Sequence, residues 1–321
     1  MLRVRDLRKT YRVPVKGAGL YASLRSLWNR ETRDVRAVDG ISFDIAAGER
    51  IGFLGPNGAG KTTTLKMLTG LLAPTSGSCE VSGFTPGNRD PDFLKLVTLV
   101  MGQKQQLLWD LPPTETFELN RALFDIPAPQ YKETLHELSE LLQLDEVLRR
   151  PVRNLSLGQR MRCELTASLL HRPKVLFLDE PTIGLDVEVQ EMVRQFVATY
   201  NARHGATVVL TSHDMQDVAA LADRIILIDA GRIAFDGSID ELSGLFGGGR
   251  RLVVDGEGAS LGPLGFEEAS PGRWQATVPA QEVNALLTEV IRRLPHANVR
   301  VTDPPLDEVM RAAFASRSQD G

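Results

Sequence analysis

The stretch Gly55-Pro56-Asn57-Gly58-Ala59-Gly60-Lys61-Thr62 constrains this 321-residue chain more than any other. A short strand-like run, Arg50-Ile51-Gly52-Phe53-Leu54, leads into it, and Thr63-Thr64-Leu65-Lys66-Met67-Leu68 leaves it with helical character. Strand, glycine-rich loop and helix in that order, spaced as G-x-x-x-x-G-K-[ST], form a phosphate cradle. Glycines let the backbone turn sharply and bring its N–H groups close to an anion. The start of the helix adds a partial positive charge at the same place. Lys61 is long enough to reach β- and γ-phosphates, and the Thr62 hydroxyl suits Mg²⁺. A chain built this way binds a nucleoside triphosphate.

Bulk properties narrow the class further. The net charge of −4 argues against a nucleic-acid binder, which usually carries a basic excess. Two cysteines, Cys79 and Cys163, lack metal spacing, and a reducing compartment is expected. The first residues, Met1-Leu2-Arg3-Val4-Arg5-Asp6, contain no apolar core of a signal peptide. No apolar run approaches the roughly eighteen residues that a membrane-spanning helix needs. A cytoplasmic protein is expected, with any membrane role supplied by a partner.

In chain order, residues 2–13 read as an edge strand. Residues 14–36 form a basic insertion in which Leu20, Tyr21, Leu24, Leu27 and Trp28 recur at helical spacing, with Arg25, Arg30 and Arg33 on the polar face. Two readings stay open there: an amphipathic helix at a membrane surface or partner, or a helix packed on its own domain. Ile41-Ser42-Phe43-Asp44-Ile45 alternates like a half-buried strand. Short strands are expected around Ser78–Val81 and Leu96–Met101. A helical lobe over about 102–172 includes Phe117, Leu119, Leu123, Leu135, Leu138, Leu141, Leu142 and Leu148. Val175–Leu178 is a continuous apolar run, as in a strand covered on both faces. Val187–Arg203 is helical, Ala206–Leu210 is a second buried strand, and residues 225–236 form a hairpin turning at Ala230-Gly231. A linker at Gly247-Gly248-Gly249 precedes a small α+β module over 250–316. The first domain then spans 1–244, a mixed sheet covered by helices.

Several residues are placed for chemistry. Val175–Leu178 runs into Asp179-Glu180-Pro181, and open α/β sheets bind ligands at such carboxyl ends of strands. Asp179 suits a Mg²⁺ shell, and Glu180 suits a base or water-positioning group. His213 follows another strand tip, and Gln103 lies just past the strand ending at Met101. His136, His171, His204 and His296 read as surface or packing residues. Ser156 and Gln159 fit the capping box S-x-x-Q; the same turn, with Gly158, equally suits an anion at a helix start.

Together these motifs resemble the ATP-binding-cassette (ABC) ATPases over about residues 1–240. Gly55–Thr62 matches Walker A and Gln103 the Q-loop. Leu155-Ser156-Leu157-Gly158-Gln159 matches the signature, Val175–Glu180 Walker B with its glutamate, Asp186 the D-loop, and His213 the switch histidine. The fold implied is an α/β P-loop NTPase nucleotide-binding domain with a helical lobe and a small C-terminal α+β domain. The implied nucleotide set is Tyr11, which the family stacks on adenine, with Gly55, Pro56, Asn57, Gly58, Ala59, Gly60, Lys61, Thr62 and Thr63. Mg²⁺ falls to Thr62, Gln103 and Asp179, and catalysis to Glu180, Gln103 and His213. In this family two cassettes face each other, so the signature serves the partner's ATP. Leu157 stands where the usual signature has glycine, as in similar variants among ABC-2 exporters.

The resemblance implies an ATP-hydrolysing subunit of a bacterial ABC transporter, most similar to ABC-2 exporter ATPases. It implies a second nucleotide-binding subunit, a separate integral-membrane permease, no nucleic-acid partner, and a place on the inner face of the plasma membrane. The residues after Gln103, including Trp109, fall where the family touches its permease. A non-transport ABC ATPase, regulatory or associated with nucleic acid or ribosomes, is the alternative.

Overall fold

The computed structural model describes residues 1–14, 32–102, 104–212, 214–246, 249–256, 261–279, 281–304 and 306–318. Gln103, His213, Gly247-Gly248 and the helical spacing from Leu20 to Arg30 lie outside the described residues. Two compact units emerge, Met1–Asp236 and Gly237–Gly321.

In the first unit, β1 (Leu2–Pro14) pairs antiparallel with β2 (Thr32–Ile45) on one side and with β4 (Ser76–Val81) on the other. The first strand is therefore central in a three-stranded sheet, not an edge. Its apolar residues explain why it takes two partners: Leu2, Val4 and Leu7 are fully buried. The step from 4 to 7 breaks strict alternation, and the register shifts there, with Asp6 at φ 44°. β2 reaches back to Thr32, so Arg33, read as part of a helix face, instead lies in the strand opposite Val13.

β3 (Arg50–Leu54) leads through the glycine loop into α1 (Lys61–Leu68). After β4 come α2 (Pro91–Leu96) and β5 (Val97–Met101), then the lobe helices α3 (Pro113–Leu123), α4 (Ala128–Leu142) and α5 (Leu157–Leu169). The chain returns through β6 (Val175–Asp179), α6 (Val187–His204), β7 (Thr207–Thr211), α7 (Met215–Leu221), β8 (Arg224–Asp229) and β9 (Arg232–Gly237). These strands form a six-stranded sheet in the order β5-β6-β7-β3-β8-β9, parallel from β5 through β8. Val175–Leu178 in β6 and Val208–Leu210 in β7 are fully buried, as helix-covered parallel strands must be. Ala230 and Gly231 turn β8 into β9 with φ of 45° and 80°, the left-handed pair that a two-residue hairpin needs.

One apolar core joins both sheets to α1 through Ile41, Phe43, Ile51, Phe53, Leu65, Phe177 and Val209. Phe43 and Phe53 meet edge to face at 5.2 Å. Each such side chain contributes about 1.5–3 kcal/mol by leaving water, so the strand feeding the glycine loop is anchored from both sheets. Cys79 and Cys163 are free and buried.

The second unit opens with α8 (Ile239–Phe246), which sequence reasoning had grouped with the first domain through residue 244. It continues with β10 (Arg250–Asp255), β11 (Glu267–Ser270), β12 (Arg273–Val278), α9 (Val283–Arg293), β13 (Asn298–Thr302) and α10 (Leu306–Ser318). Its sheet is antiparallel in the order β11-β12-β10-β13, over a core of Leu252, Val254, Leu261, Phe266 and Val290. β11, Glu-Glu-Ala-Ser, is exposed at all four residues and carries no apolar alternation, which is why the sequence did not announce it.

Candidate active site

The parallel register brings four strand ends into one row. Met101 of β5 lies beside Asp179 of β6, Asp179 beside Thr211 of β7, and Thr211 beside Phe53 of β3. The segments that leave these tips therefore start side by side, where open α/β sheets place their ligands.

The glycine loop owes its shape to three backbone conformations. Gly55, Gly58 and Gly60 have φ of 153°, 84° and 108°, values that residues with a Cβ adopt only under strain. Space is equally restrictive. A Cβ on Gly55 would lie 2.1 Å from the Ile228 carbonyl oxygen, and one on Gly60 would lie 2.3 Å from that of Ala37. The Gly231 N–H donates to the Ala59 carbonyl at 3.0 Å, and the Asp39 N–H donates to Gly231 at 2.8 Å, so the hairpin turn braces the loop.

Lys61 is only 7% exposed and curls over the loop, donating from Nζ to the carbonyls of Gly55 at 2.6 Å and Pro56 at 3.1 Å. Burial holds its pKa below the usual lysine value, while the charges of Glu180 and Asp179 oppose that shift. A cation kept in place by two neutral carbonyls is free to exchange them for anionic phosphate oxygens.

Asp179 gathers hydroxyls. Its Oδ1 accepts from Thr62 Oγ1 at 3.0 Å and from Thr211 Oγ1 at 2.7 Å. Oxygen donors converging from two elements fit a hard cation such as Mg²⁺, which uses one or two carboxylates together with phosphate and water. Glu180 follows in the left-handed region at φ 53°. Its N–H donates to the Thr211 carbonyl at 3.0 Å and to Thr211 Oγ1 at 3.1 Å. Gly102 meets the same segment. Its N–H donates to Asp179 at 2.9 Å, and a Cβ there would lie 2.1 Å from the Glu180 carbonyl oxygen.

Ser156 caps α5 in a full capping box: its hydroxyl accepts from Gln159 N–H at 3.2 Å, and Gln159 Oε1 accepts from Ser156 N–H at 3.0 Å. The capping role is thus realised within the chain. Gly158 is buried, and a Cβ there would meet Val189 at 2.9 Å; Leu157, 38% exposed, flanks Gly184. Asp186 caps α6 by accepting from Val189 N–H at 3.0 Å. Tyr11 lies on β1 opposite Val35, 38% exposed, with Lys9 Nζ 5.5 Å from its ring centre.

Sequence reasoning missed three participants. Thr211 joins Asp179 to Glu180, and its position at the end of an apolar run was the available signal. Asp217, fully buried, accepts from Arg194 Nε at 2.7 Å, from Ser212 Oγ at 2.8 Å and from Thr182 Oγ1. Glu164, on α5, is 4% exposed and accepts from the N–H groups of Gln106 at 2.8 Å and Leu107 at 3.2 Å. Burial raises the Glu164 pKa, and those two N–H groups oppose the rise. The loop after residue 103 is also fixed to the approach to α5. Arg153 N–H donates to the Trp109 carbonyl at 2.9 Å, Arg153 pairs with Asp110 at 2.8 Å, and the Arg160 guanidinium lies 5.3 Å from the Trp109 ring centre.

A parallel sheet, a glycine loop braced at the C-terminal edge and an aspartate–hydroxyl cluster beside it define a P-loop nucleoside triphosphatase. The family profile described as "ABC transporter" matches residues 38–183. The chain is 38% identical over 291 residues to the daunorubicin resistance ATP-binding protein DrrA3 of Streptomyces coeruleorubidus, covering 86% of this chain and 90% of that one. It is 32% identical over 292 residues to the doxorubicin resistance ATP-binding protein DrrA of Mycobacterium tuberculosis (strain ATCC 25618 / H37Rv), covering 86% and 88%. A solved ATP-binding subunit of an ABC transporter superposes with a TM-score of 0.63 at 22% identity, covering 82% of this chain and 97% of that one. A dimeric ATP-binding cassette in a post-hydrolysis state with ADP and Pi gives 0.61 at 23% identity, covering 74% and 98%. The chain belongs to the ABC transporter family as one of its ATP-binding proteins, and it is an ATPase.

Proposed function

We propose that the chain is the energy-supplying subunit of a bacterial ABC-2 type exporter, driving a separate integral-membrane permease from the inner face of the plasma membrane. The observation that carries this reading is the similarity to drug-resistance ATP-binding proteins over 86% of the chain, beyond the 38–183 family stretch. An apolar docking face supports it: Leu108, Trp109 and Leu111 are 41–47% exposed on the loop that Glu164 holds. Beside it a groove of about 470 Å³ is lined by Leu71, Leu99, Gln106, Leu123 and Phe124. Among the described residues no helix is long and apolar enough to cross a membrane.

In this reading the amides of Gly55–Thr63 and Lys61 bind the triphosphate, and Tyr11 faces the base. Thr62 Oγ1 and Asp179, already converging, would hold Mg²⁺ together with Gln103; the ion offsets charge on the phosphate oxygens. Glu180 orients the attacking water or takes its proton, and His213 contacts the γ-phosphate. No covalent intermediate forms. The exposed Ser156 turn, with Asp186, serves the nucleotide of a second nucleotide-binding subunit, a like copy or a similar chain.

The test pairs one substitution with one capture. Glu180→Gln is expected to bind ATP as the wild type does and to lose turnover; turnover at the wild-type rate removes the assigned role. Tagged protein expressed in its source cell is expected to retain a polytopic membrane protein after detergent extraction. Recovery with ribosomes instead, and without membrane protein, overturns the transport reading.

A further inference from the structure

Buried charge away from phosphate is unusual enough to need a reason. Arg194 on α6 is 6% exposed and Asp217 on α7 is fully buried, and they meet at 2.7 Å. Neither is among the residues assigned above to phosphate, Mg²⁺ or water. A buried ion pair is a weak source of stability, because desolvating both charges offsets most of their attraction; its best-attested use is to fix one arrangement over its neighbours. What this pair fixes is visible in its other bonds. Asp217 Oδ2 accepts from Thr182 Oγ1, two residues past Glu180, and from Ser212 Oγ at 2.8 Å, one residue past Thr211. The Arg194 fork also reaches Asp214 Oδ2 at 3.4 Å, and the Asp214 N–H donates to Ser212 Oγ at 2.9 Å.

Glu180 is thus held on both sides of its strained backbone. Upstream, its own N–H is bound by Thr211. Downstream, Thr182 is bound by Asp217. A non-glycine residue in the left-handed region persists only where its surroundings over-determine it. The two anchors are not independent, since Thr211 and Ser212 are consecutive and Asp217 holds the second.

We infer that the buried Arg194–Asp217 pair is a positioning device for Glu180, clamping the turn after β6 to the turn after β7. The backbone that carries the glutamate's carboxylate is then held in a single conformation. This rests on the role proposed for Glu180. Nucleotide binding, which uses the glycine loop and Lys61, does not depend on the pair.

The test uses the purified full chain, with steady-state ATPase assays and separate measurement of ATP binding. Asp217→Asn keeps the shape and removes the charge, and Thr182→Val removes one arm while leaving the ion pair intact. Misplacing a reacting group by about an ångström costs up to roughly a hundredfold. Asp217→Asn is expected to lower kcat by about ten- to a hundredfold and Thr182→Val by several-fold, each with KM and ATP affinity within about twofold. A second readout separates positioning from mere structure. In a Glu180→Gln background, Asp217→Asn is expected to cause no further loss, because groups acting as a unit are not additive. If Asp217→Asn fails to fold, Thr182→Val decides. Wild-type kcat in a folded variant, or a full further loss on top of Glu180→Gln, overturns the inference. Wild-type turnover by Glu180→Gln alone overturns the role of Glu180 instead.

Discussion

Replacing Glu164 with alanine isolates the fastening between α5 and the loop that carries Trp109. The carboxylate is 4% exposed and accepts from two backbone N–H groups, those of Gln106 and Leu107. Truncation leaves both donors without their acceptor. An unsatisfied buried donor costs about 1–3 kcal/mol, so the pair predicts a loss of roughly 2–6 kcal/mol. Glutamine keeps one oxygen in place and is expected to lose less, about 1–2 kcal/mol. Urea unfolding at neutral pH, with the slope compared between variants, gives the stability change. Amide exchange at residues 106 and 107 reports the local opening directly. A loss below about 0.5 kcal/mol, with both amides protected as in the wild type, would refute the reasoning. The carboxylate also has a pH signature. Its folded pKa is raised above the ordinary carboxylate value, so a protonation-linked increment, separate from the two hydrogen bonds, is fully present below that value and is lost as pH rises through the folded one. Glu164→Gln is expected to erase that step.

His171 offers a second titration with the opposite slope. Stacked on Phe124 at 4.1 Å, it has its pKa pushed down by burial to about 4. A depressed histidine adds stability above the unfolded value, near 6.5, that is lost as pH falls toward 4. Between pH 7.5 and 5 the loss is about 2 kcal/mol, and His171→Phe should flatten it in parallel urea titrations. Gly60→Ala forces a Cβ to 2.3 Å from the Ala37 carbonyl oxygen at φ 108°. It should weaken ATP binding at least about tenfold by calorimetry and destabilise by about 1–3 kcal/mol.

Much of this was legible in the sequence because it is local. Gly55–Thr62, the apolar run into Asp179-Glu180, the Ser156–Gln159 box and the Ala230-Gly231 turn each declare themselves within ten residues. The rest depends on distant pairing. Residues 2–13 read as an edge strand because nothing in them names β4, some seventy residues on, as a second partner. Arg33 fitted a helical face until Val13 fixed it as strand. Asp217 and Glu164 look like ordinary charges on helices, and only the fold shows that Thr182 and the Gln106–Leu107 amides come to them. Gly158 illustrates a shared signal: its smallness fits a phosphate in sequence and fits Val189 in the structure.

Gly55, Gly60 and Gly102 carry a further consequence for how such a chain can change over generations or by design. The room that each lacks is taken by a carbonyl oxygen, of Ile228, Ala37 and Glu180 respectively. At positions 37 and 228 that constraint falls on the path of the main chain, not on side-chain identity. Ile228 is also held by its side chain, 1% exposed in the core, but for the glycines it is the oxygen that counts: an insertion or deletion of one residue beside either position shifts it and disturbs a glycine far away in sequence. Chain length at the active-site borders is therefore fixed by oxygens that no side chain supplies.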